Sequence, residues 1–381
     1  MVTATDSLAA YEHLTERRNR FLRIDELCAR GADEFPRLLP ARKDLASEAL
    51  RAQRDKKGLE RAQGEFLAGV LADPAAGAHL CHAMLLPHPK SASFMAEFEK
   101  KGELRFNGAH LQRQGKACVL TMSNPRFLNA EDETTLEGME IAVDLALLDP
   151  KTEVCVLRGA PVEHPKYAGQ RLFGAGINLT HLYQGKIRYL WYLIRDFGFV
   201  NKFYRGLAVE ERSPEEASRE KLWIAAVEGF AIGGHCQILL TMDYTLAADD
   251  AYLTLPARKE GIVPGAANLR LTRFVGDRLA RQAVMAERRF DCATPEGRLI
   301  CDEIVPAKEM EAALSRVIER LTGSGVVSAA ANRRAFRAAE EPLDTFRRYM
   351  AVYAREQADC HLSPALIANL EKNWNAASRR G

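Results

Sequence analysis

From Ala9 to Cys28, and again from Leu45 to Leu71, apolar residues recur every three to four positions among Arg, Lys and Glu, the period of an amphipathic helix. Asp73-Pro74 and Pro87-His88-Pro89 interrupt the pattern, and the chain to about Leu111 reads as a charged, helical region. The grammar changes at Lys116. Ala117 to Met122 reads as a strand, Asp132 to Leu148 has helical periodicity, and Glu153 to Arg158 reads as the next strand. A long polar loop, Gly159 to Arg171, leads to a mostly helical, aromatic-rich stretch, His181 to Leu207. Leu222 to Val227 reads as a buried strand, followed by helix His235 to Met242 and strands Tyr244 to Ala248 and Tyr252 to Leu255. Glu260 to Gly265 is a turn. From Asn268 onward the pattern is helical, most clearly over Glu309 to Leu321 and Ser328 to Gln357. Strands alternating with helices predict βαβ units with right-handed crossovers. The division expected is a helical region over 1–112, an α/β core over 113–322 and a helical region over 323–381.

Two glycine turns stand at strand-to-helix transitions of this core: Gly174-Ala175-Gly176-Ile177-Asn178-Leu179 and Gly229-Phe230-Ala231-Ile232-Gly233-Gly234-His235-Cys236-Gln237. Glycine lets a backbone approach a ligand and take dihedrals that other residues avoid. The first N–H groups of a helix lack internal partners and carry partial positive charge. Two such turns can aim two amides at one oxygen, the device that stabilises an enolate or a tetrahedral adduct. Either turn alone is equally well an ordinary tight turn; the pair points to chemistry.

Composition narrows the rest. With 47% hydrophobic and 27% charged residues and a net charge of +2, nothing argues for a nucleic-acid or membrane partner. The polar start lacks the basic and apolar segments of a secretory signal, and no run reaches the length of a membrane span. Eight scattered cysteines without a C-x-x-C pair read as reduced, mostly buried thiols, and a cytoplasmic location is expected. Histidine and cysteine spacings give no metal site.

The run Asn124 to Ala130, the two glycine turns and the segment Leu255-Pro256 through Ile262-Val263-Pro264-Gly265-Ala266 resemble the crotonase, or enoyl-CoA hydratase/isomerase, superfamily. The resemblance implies an α/β, ββα-spiral core, here with extra N-terminal and C-terminal helices, a trimer or dimer of trimers, and acyl-CoA thioesters as substrates. It implies oxyanion donors at Ile177 and Gly234. The two glutamates with which the superfamily's hydratases activate water fall on Gln237 and Ala257, which cannot exchange a proton at neutral pH.

Ile194-Arg195-Asp196-Phe197-Gly198, Gln237 and the run Lys259 to Leu271 resemble one subgroup, the cofactor-independent 3,5-dihydroxyphenylacetyl-CoA 1,2-dioxygenases of glycopeptide-antibiotic biosynthesis. By that likeness Glu131, Arg195 and Gln237 line the substrate pocket. Glu131 is then a base or ring-hydroxyl acceptor, Gln237 binds another ring hydroxyl, and Arg195 holds the thioester end or the developing negative charge. O₂ is the co-substrate, with no metal or flavin. The subgroup has a third glycine where this chain has His235, and a small residue at Cys236; His235 is read here as a structural residue at the helix start. The C-terminal helices are expected to pack over a neighbouring subunit and help close the site, and Lys43, Arg51, Arg54, Lys56 and Lys57 are candidates to touch CoA phosphates. The competing readings are another acyl-CoA enzyme of this fold, such as an isomerase, thioesterase or atypical hydratase, and a non-catalytic CoA-binding protein.

Overall fold

A computed structural model describes residues 3–379. Its centre is a seven-stranded sheet whose spatial order follows the sequence: Glu103–Phe106, Gly108–Gln114, Ala117–Ser123, Val154–Gly159, Leu222–Val227, Tyr244–Ala248 and Glu303–Val305. The first three strands pair antiparallel and the rest parallel, as crossover helices require. Val154–Gly159 is buried along its whole length, the mark of a parallel strand covered on both faces. Helix Glu133–Leu148 makes the first crossover; Asp132 caps it by accepting from the Thr134 N–H. A second, three-stranded sheet pairs Phe230–Ile232 with Tyr252–Thr254 in parallel, and Tyr252–Thr254 with Phe290–Asp291 antiparallel.

Four strands lie where the pattern read as helical, the first two being Glu103–Phe106 and Gly108–Gln114. In Gly108–Gln114 the side chains alternate, with Ala109 and Leu111 turned into the core, and Gly108, at φ 82°, makes the tight reversal between the pair. Seven residues of period two are easily lost beside a long helical tract. The strands Phe290–Asp291 and Glu303–Val305, within the tract read as helical to its end, are too short to carry a period. The tract Ser328 to Gln357 is two helices, Val326–Glu340 and Leu343–His361, because Pro342 cannot continue the first. Likewise Ala9 to Cys28 divides into Ala4–Leu14 and Ile24–Glu34, with Glu16, Arg17 and Arg18 at positive φ between them.

The N-terminal and C-terminal helices pack on each other. Leu343–His361 lies along Arg61–Ala72 of the same chain, and the buried Gln53 amide donates to the His361 carbonyl at 2.6 Å. Leu343–His361 thus packs on helices of its own chain. Arg23 ties the N-terminal helices to Glu140 of helix Glu133–Leu148 at 2.7 Å, and Glu341 ties the C-terminal ones to Arg205 and Arg270. Seven of the eight cysteines are buried and all are free thiols. Among the described residues no helix is long and apolar enough to cross a membrane.

Candidate active site

The site lies where the parallel strands end, at their carboxyl edge, the usual ligand position in such sheets. Ala117–Ser123 runs out into the loop that carries Glu131. Val154–Gly159 leads to the first glycine turn, and Leu222–Val227 to the second. Asn129 fixes the first loop: its side-chain amide donates to the Ala160 and Leu172 carbonyls at 2.8 Å each, and its Oδ1 accepts from the Asn124 N–H.

The two turns are laced together. The Gly174 N–H donates to the Phe230 carbonyl, and the Ile232 N–H donates to the Gly174 carbonyl. The Gly176 N–H donates to Nδ1 of His235 at 2.9 Å. A side chain at Gly176 would lie 3.2 Å from the Gly234 nitrogen, so only glycine allows this approach. Glu131 grips the first turn from the other side: its N–H donates to the Gly176 carbonyl and its carbonyl accepts from the Asn178 N–H, both at 2.8 Å. Alternate amides of an extended chain point to opposite sides, so this pairing turns the Ile177 N–H away from Glu131. Neither the Ile177 N–H nor the Gly234 N–H has a hydrogen-bond acceptor among the described residues, and both residues wall the same cavity. Gly234 opens helix Gly234–Leu239, where the first amides have no partner within the helix.

His235 is fully buried, and burial holds its imidazole down to about 4. It is neutral at physiological pH, with Nδ1 bare to accept from Gly176 and the proton on Nε2. Its reading as a structural residue at the helix start fits this tether.

Arg195 is the hub. Nε and Nη2 form a bidentate pair with Glu131 at 2.9 and 2.8 Å; Nη2 also reaches the Gly234 carbonyl at 2.9 Å; Nη1 reaches Asp196 at 2.9 Å and Oε1 of Gln237 at 2.7 Å. All five guanidinium N–H groups are therefore engaged with the pocket's other polar groups. Both Glu131 oxygens likewise accept from Arg195. The Gln237 amide nitrogen donates to Asp196 at 2.8 Å, so the carboxamide is fixed in orientation. Burial raises the Asp196 carboxyl above the usual range despite the adjacent guanidinium. Arg195 and Asp196 sit together because helix Tyr189–Arg195 passes into a wider π turn, Asp196–Val200, with Gly198 out of helical conformation (ψ −118°).

These residues surround a small cavity of about 30 Å³, completed by Trp191, Tyr192, Leu255, Ala257, Ile262 and Val263, and by Tyr353 from the C-terminal helix. It meets an outer groove of about 540 Å³ at Ile177 and Glu260. Arg126, His164 and Arg379 open on that groove. The basic cluster proposed for CoA does not: Lys56 is buried against Glu60, and Arg54 pairs with Glu371. Lys43, Arg51 and Lys57 line neither space. Among the described residues no group of three or more His, Cys, Asp or Glu side chains is arranged to hold a metal ion. Sequence reasoning brought together Glu131, Ile177, Arg195, Gly234 and Gln237, and all five wall the cavity. It passed over Asp196, Tyr353 and Glu260. Asp196 adjoins a named residue and was within reach; the other two depend on tertiary packing.

The fold and this paired-turn site are those of a known family. The enoyl-CoA hydratase/isomerase family model matches residues 112–358, and the chain belongs to that family, the crotonase superfamily. It is 46% identical to the (3,5-dihydroxyphenyl)acetyl-CoA 1,2-dioxygenase of Amycolatopsis orientalis over 349 residues, 91% of this chain and 80% of that protein. It is 26% identical to the short-chain-enoyl-CoA hydratase of Clostridium acetobutylicum, over 61% of this chain and 82% of that one. Among solved structures, an enoyl-CoA hydratase from Mycobacterium avium subsp. paratuberculosis superposes with a TM-score of 0.58 at 22% identity, covering 70% of this chain and 98% of the other. That likeness is one of fold.

Proposed function

We propose that the protein is a dioxygenase that converts an arylacetyl-CoA, with 3,5-dihydroxyphenylacetyl-CoA the first candidate, and O₂ to an arylglyoxylate and free CoA, without metal or flavin. The observation that carries this reading is the pair of unbonded amides, Ile177 and Gly234, in a cavity where the two hydratase carboxylates are replaced by Gln237 and Ala257. The 46% identity to the Amycolatopsis dioxygenase supports the same reading.

In this mechanism the thioester oxygen sits between the two amides. Loss of an α-proton gives an enolate whose charge those N–H groups stabilise, each worth ~3 kcal/mol of barrier. Charge on the aryl ring meets ring-hydroxyl contacts from Glu131 and Gln237, which Arg195 keeps in place. The carbanion gives one electron to O₂, and radical recombination forms a C–O bond at the α-carbon. The resulting peroxide attacks the thioester carbonyl and expels CoA as thiolate. Loss of the second α-hydrogen with O–O cleavage leaves the α-keto acid. The inner cavity, walled by Ile177, Leu255, Ile262 and Val263, has room for a diatomic gas. The outer groove takes the pantetheine arm, with Arg126 and Arg379 set for phosphate. A homotrimer or dimer of trimers and a cytoplasmic setting belong to the same proposal.

The second reading is an isomerase or atypical hydratase, favoured by one observation: Glu260, a carboxyl on the cavity wall. Thiol release from 3,5-dihydroxyphenylacetyl-CoA, followed in air and under argon, separates the two. Release in air alone supports the oxygenase; conversion under argon to a new CoA ester supports the isomerase.

A further inference from the structure

Glu260 ends the one-turn helix Ala257–Glu260 and is 3% exposed, yet its carboxylate makes no hydrogen bond or ion pair among the described residues. Both its oxygens lie 3.8 Å from the point a side chain at Gly233 would occupy, beside the Gly234 amide. It belongs to the walls of both the inner cavity and the outer groove, so it stands at the neck through which an acyl group reaches the two amides. The other cavity carboxylates are engaged: both Glu131 oxygens face Arg195, and Asp196 accepts from Arg195 and Gln237.

The charged and titratable neighbours leave Glu260 free. Lys259, on its own helix, turns to Glu287 at 3.4 Å and over the Trp374 ring. Across the inner cavity are Arg195, Glu131 and Asp196, bonded to one another, and the phenols Tyr192 and Tyr353. Across the groove are Arg126, His164, Arg379, Tyr167 and Tyr252. Burial, opposed only by Lys259, lifts the carboxyl to about 7, the range in which a general base works at neutral pH.

We propose that Glu260 takes the α-proton of the bound thioester, an assignment that rests on the reading above of enolate formation beside Ile177 and Gly234. The α-C–H bond breaks, its electron pair moves into the enolate, and the proton passes to a Glu260 oxygen.

The test follows exchange of the α-hydrogens of 3,5-dihydroxyphenylacetyl-CoA in D₂O without O₂, by mass spectrometry, on the full chain. Glu260→Gln should slow exchange at least 100-fold while thioester binding changes by less than threefold. Because Glu260 has no partner to lose, its thermal midpoint should stay or rise. Glu260→Asp should recover part of the rate. In the wild type the rate should climb with pH through about 7, and the Gln variant should lack that limb. Exchange by Glu260→Gln within threefold of wild type overturns the assignment, as does a wild type that exchanges nothing. Glu260-dependent exchange with no O₂ uptake in air would uphold Glu260 and overturn the oxygenase reading instead.

Discussion

The main-chain N–H of Gly176 donates to Nδ1 of His235 at 2.9 Å, joining the two glycine turns through a side chain that sits next to one proposed oxyanion donor, Gly234, and reaches the neighbour of the other, Ile177. The tether needs only an acceptor at that point. His235→Leu removes it and strands a buried N–H, a cost of about 1–3 kcal/mol. His235→Asn carries an oxygen in place of Nδ1. We expect the Leu variant to lose stability of that size and at least tenfold in kcat/KM, and the Asn variant to keep most of both. Denaturant unfolding and steady-state turnover measure them. Equal behaviour of the two variants would remove the tether from the account.

The same histidine gives a pH dependence. Its folded pKa lies below the free value of 6.5, so the unfolded chain binds the proton more readily. Stability from His235 is present above about 6.5 and is lost as pH falls toward 4. His235→Asn should flatten that part of the stability profile, read from chemical denaturation between pH 7 and pH 4.

Glu260 acts in the opposite sense. Its folded pKa, about 7, lies above the ordinary 4.5. Its favourable contribution is complete below 4.5 and is lost as pH rises through 7, a swing on the order of 3 kcal/mol. Glu260→Gln should therefore gain stability relative to wild type as pH rises from 4.5 to 7.5. A constant difference across that range would mean that the carboxyl is not desolvated as described.

Arg195→Lys keeps the charge and loses the fork. Five hydrogen bonds to Glu131, Asp196, Gln237 and Gly234 cannot be met by one ammonium group. The fold should persist, with turnover down at least 100-fold; the more severe Arg195→Ala leaves buried carboxylates unpaired, at about 3–5 kcal/mol. Normal turnover by the Lys variant would take Arg195 out of the site.

A methyl group at Gly234 would lie 2.7 Å from Glu131 Oε2 and 2.9 Å from Arg195 Nη2. Gly234→Ala should displace that ion pair and the adjacent amide. Gly234→Pro brings the same Cβ contact and also deletes the amide. Losing the donor should cost ~3 kcal/mol of barrier, at least 100-fold in kcat. Unchanged turnover in the Pro variant would place the oxyanion donors elsewhere.

The core and its two turns were legible because their signals are local. Glycines at fixed offsets after buried strands mark Ile177 and Gly234, and apolar runs mark Ala117–Ser123, Val154–Gly159 and Leu222–Val227. Glu131, Arg195 and Gln237 were legible by likeness alone, and the hydrogen bonds that join them were not. Whether Arg195 has a donor to spare, or Glu260 a partner, depends on residues distant in sequence. Tyr353 reaches the cavity from a helix more than a hundred residues beyond the second turn, a distance that no local periodicity records. The antiparallel pair Glu103–Phe106 and Gly108–Gln114 is short and follows a long helical tract, which masks its alternation.

The central claim is that two amides hold an enolate that O₂ itself oxidises. Its most direct test is aerobic incubation with 3,5-dihydroxyphenylacetyl-CoA under ¹⁸O₂, with no metal or flavin added and chelator present. One O₂ consumed and one CoA released per arylglyoxylate, with both labelled oxygens in the product, is the predicted result. Turnover without O₂ uptake, or a product free of label, would contradict it.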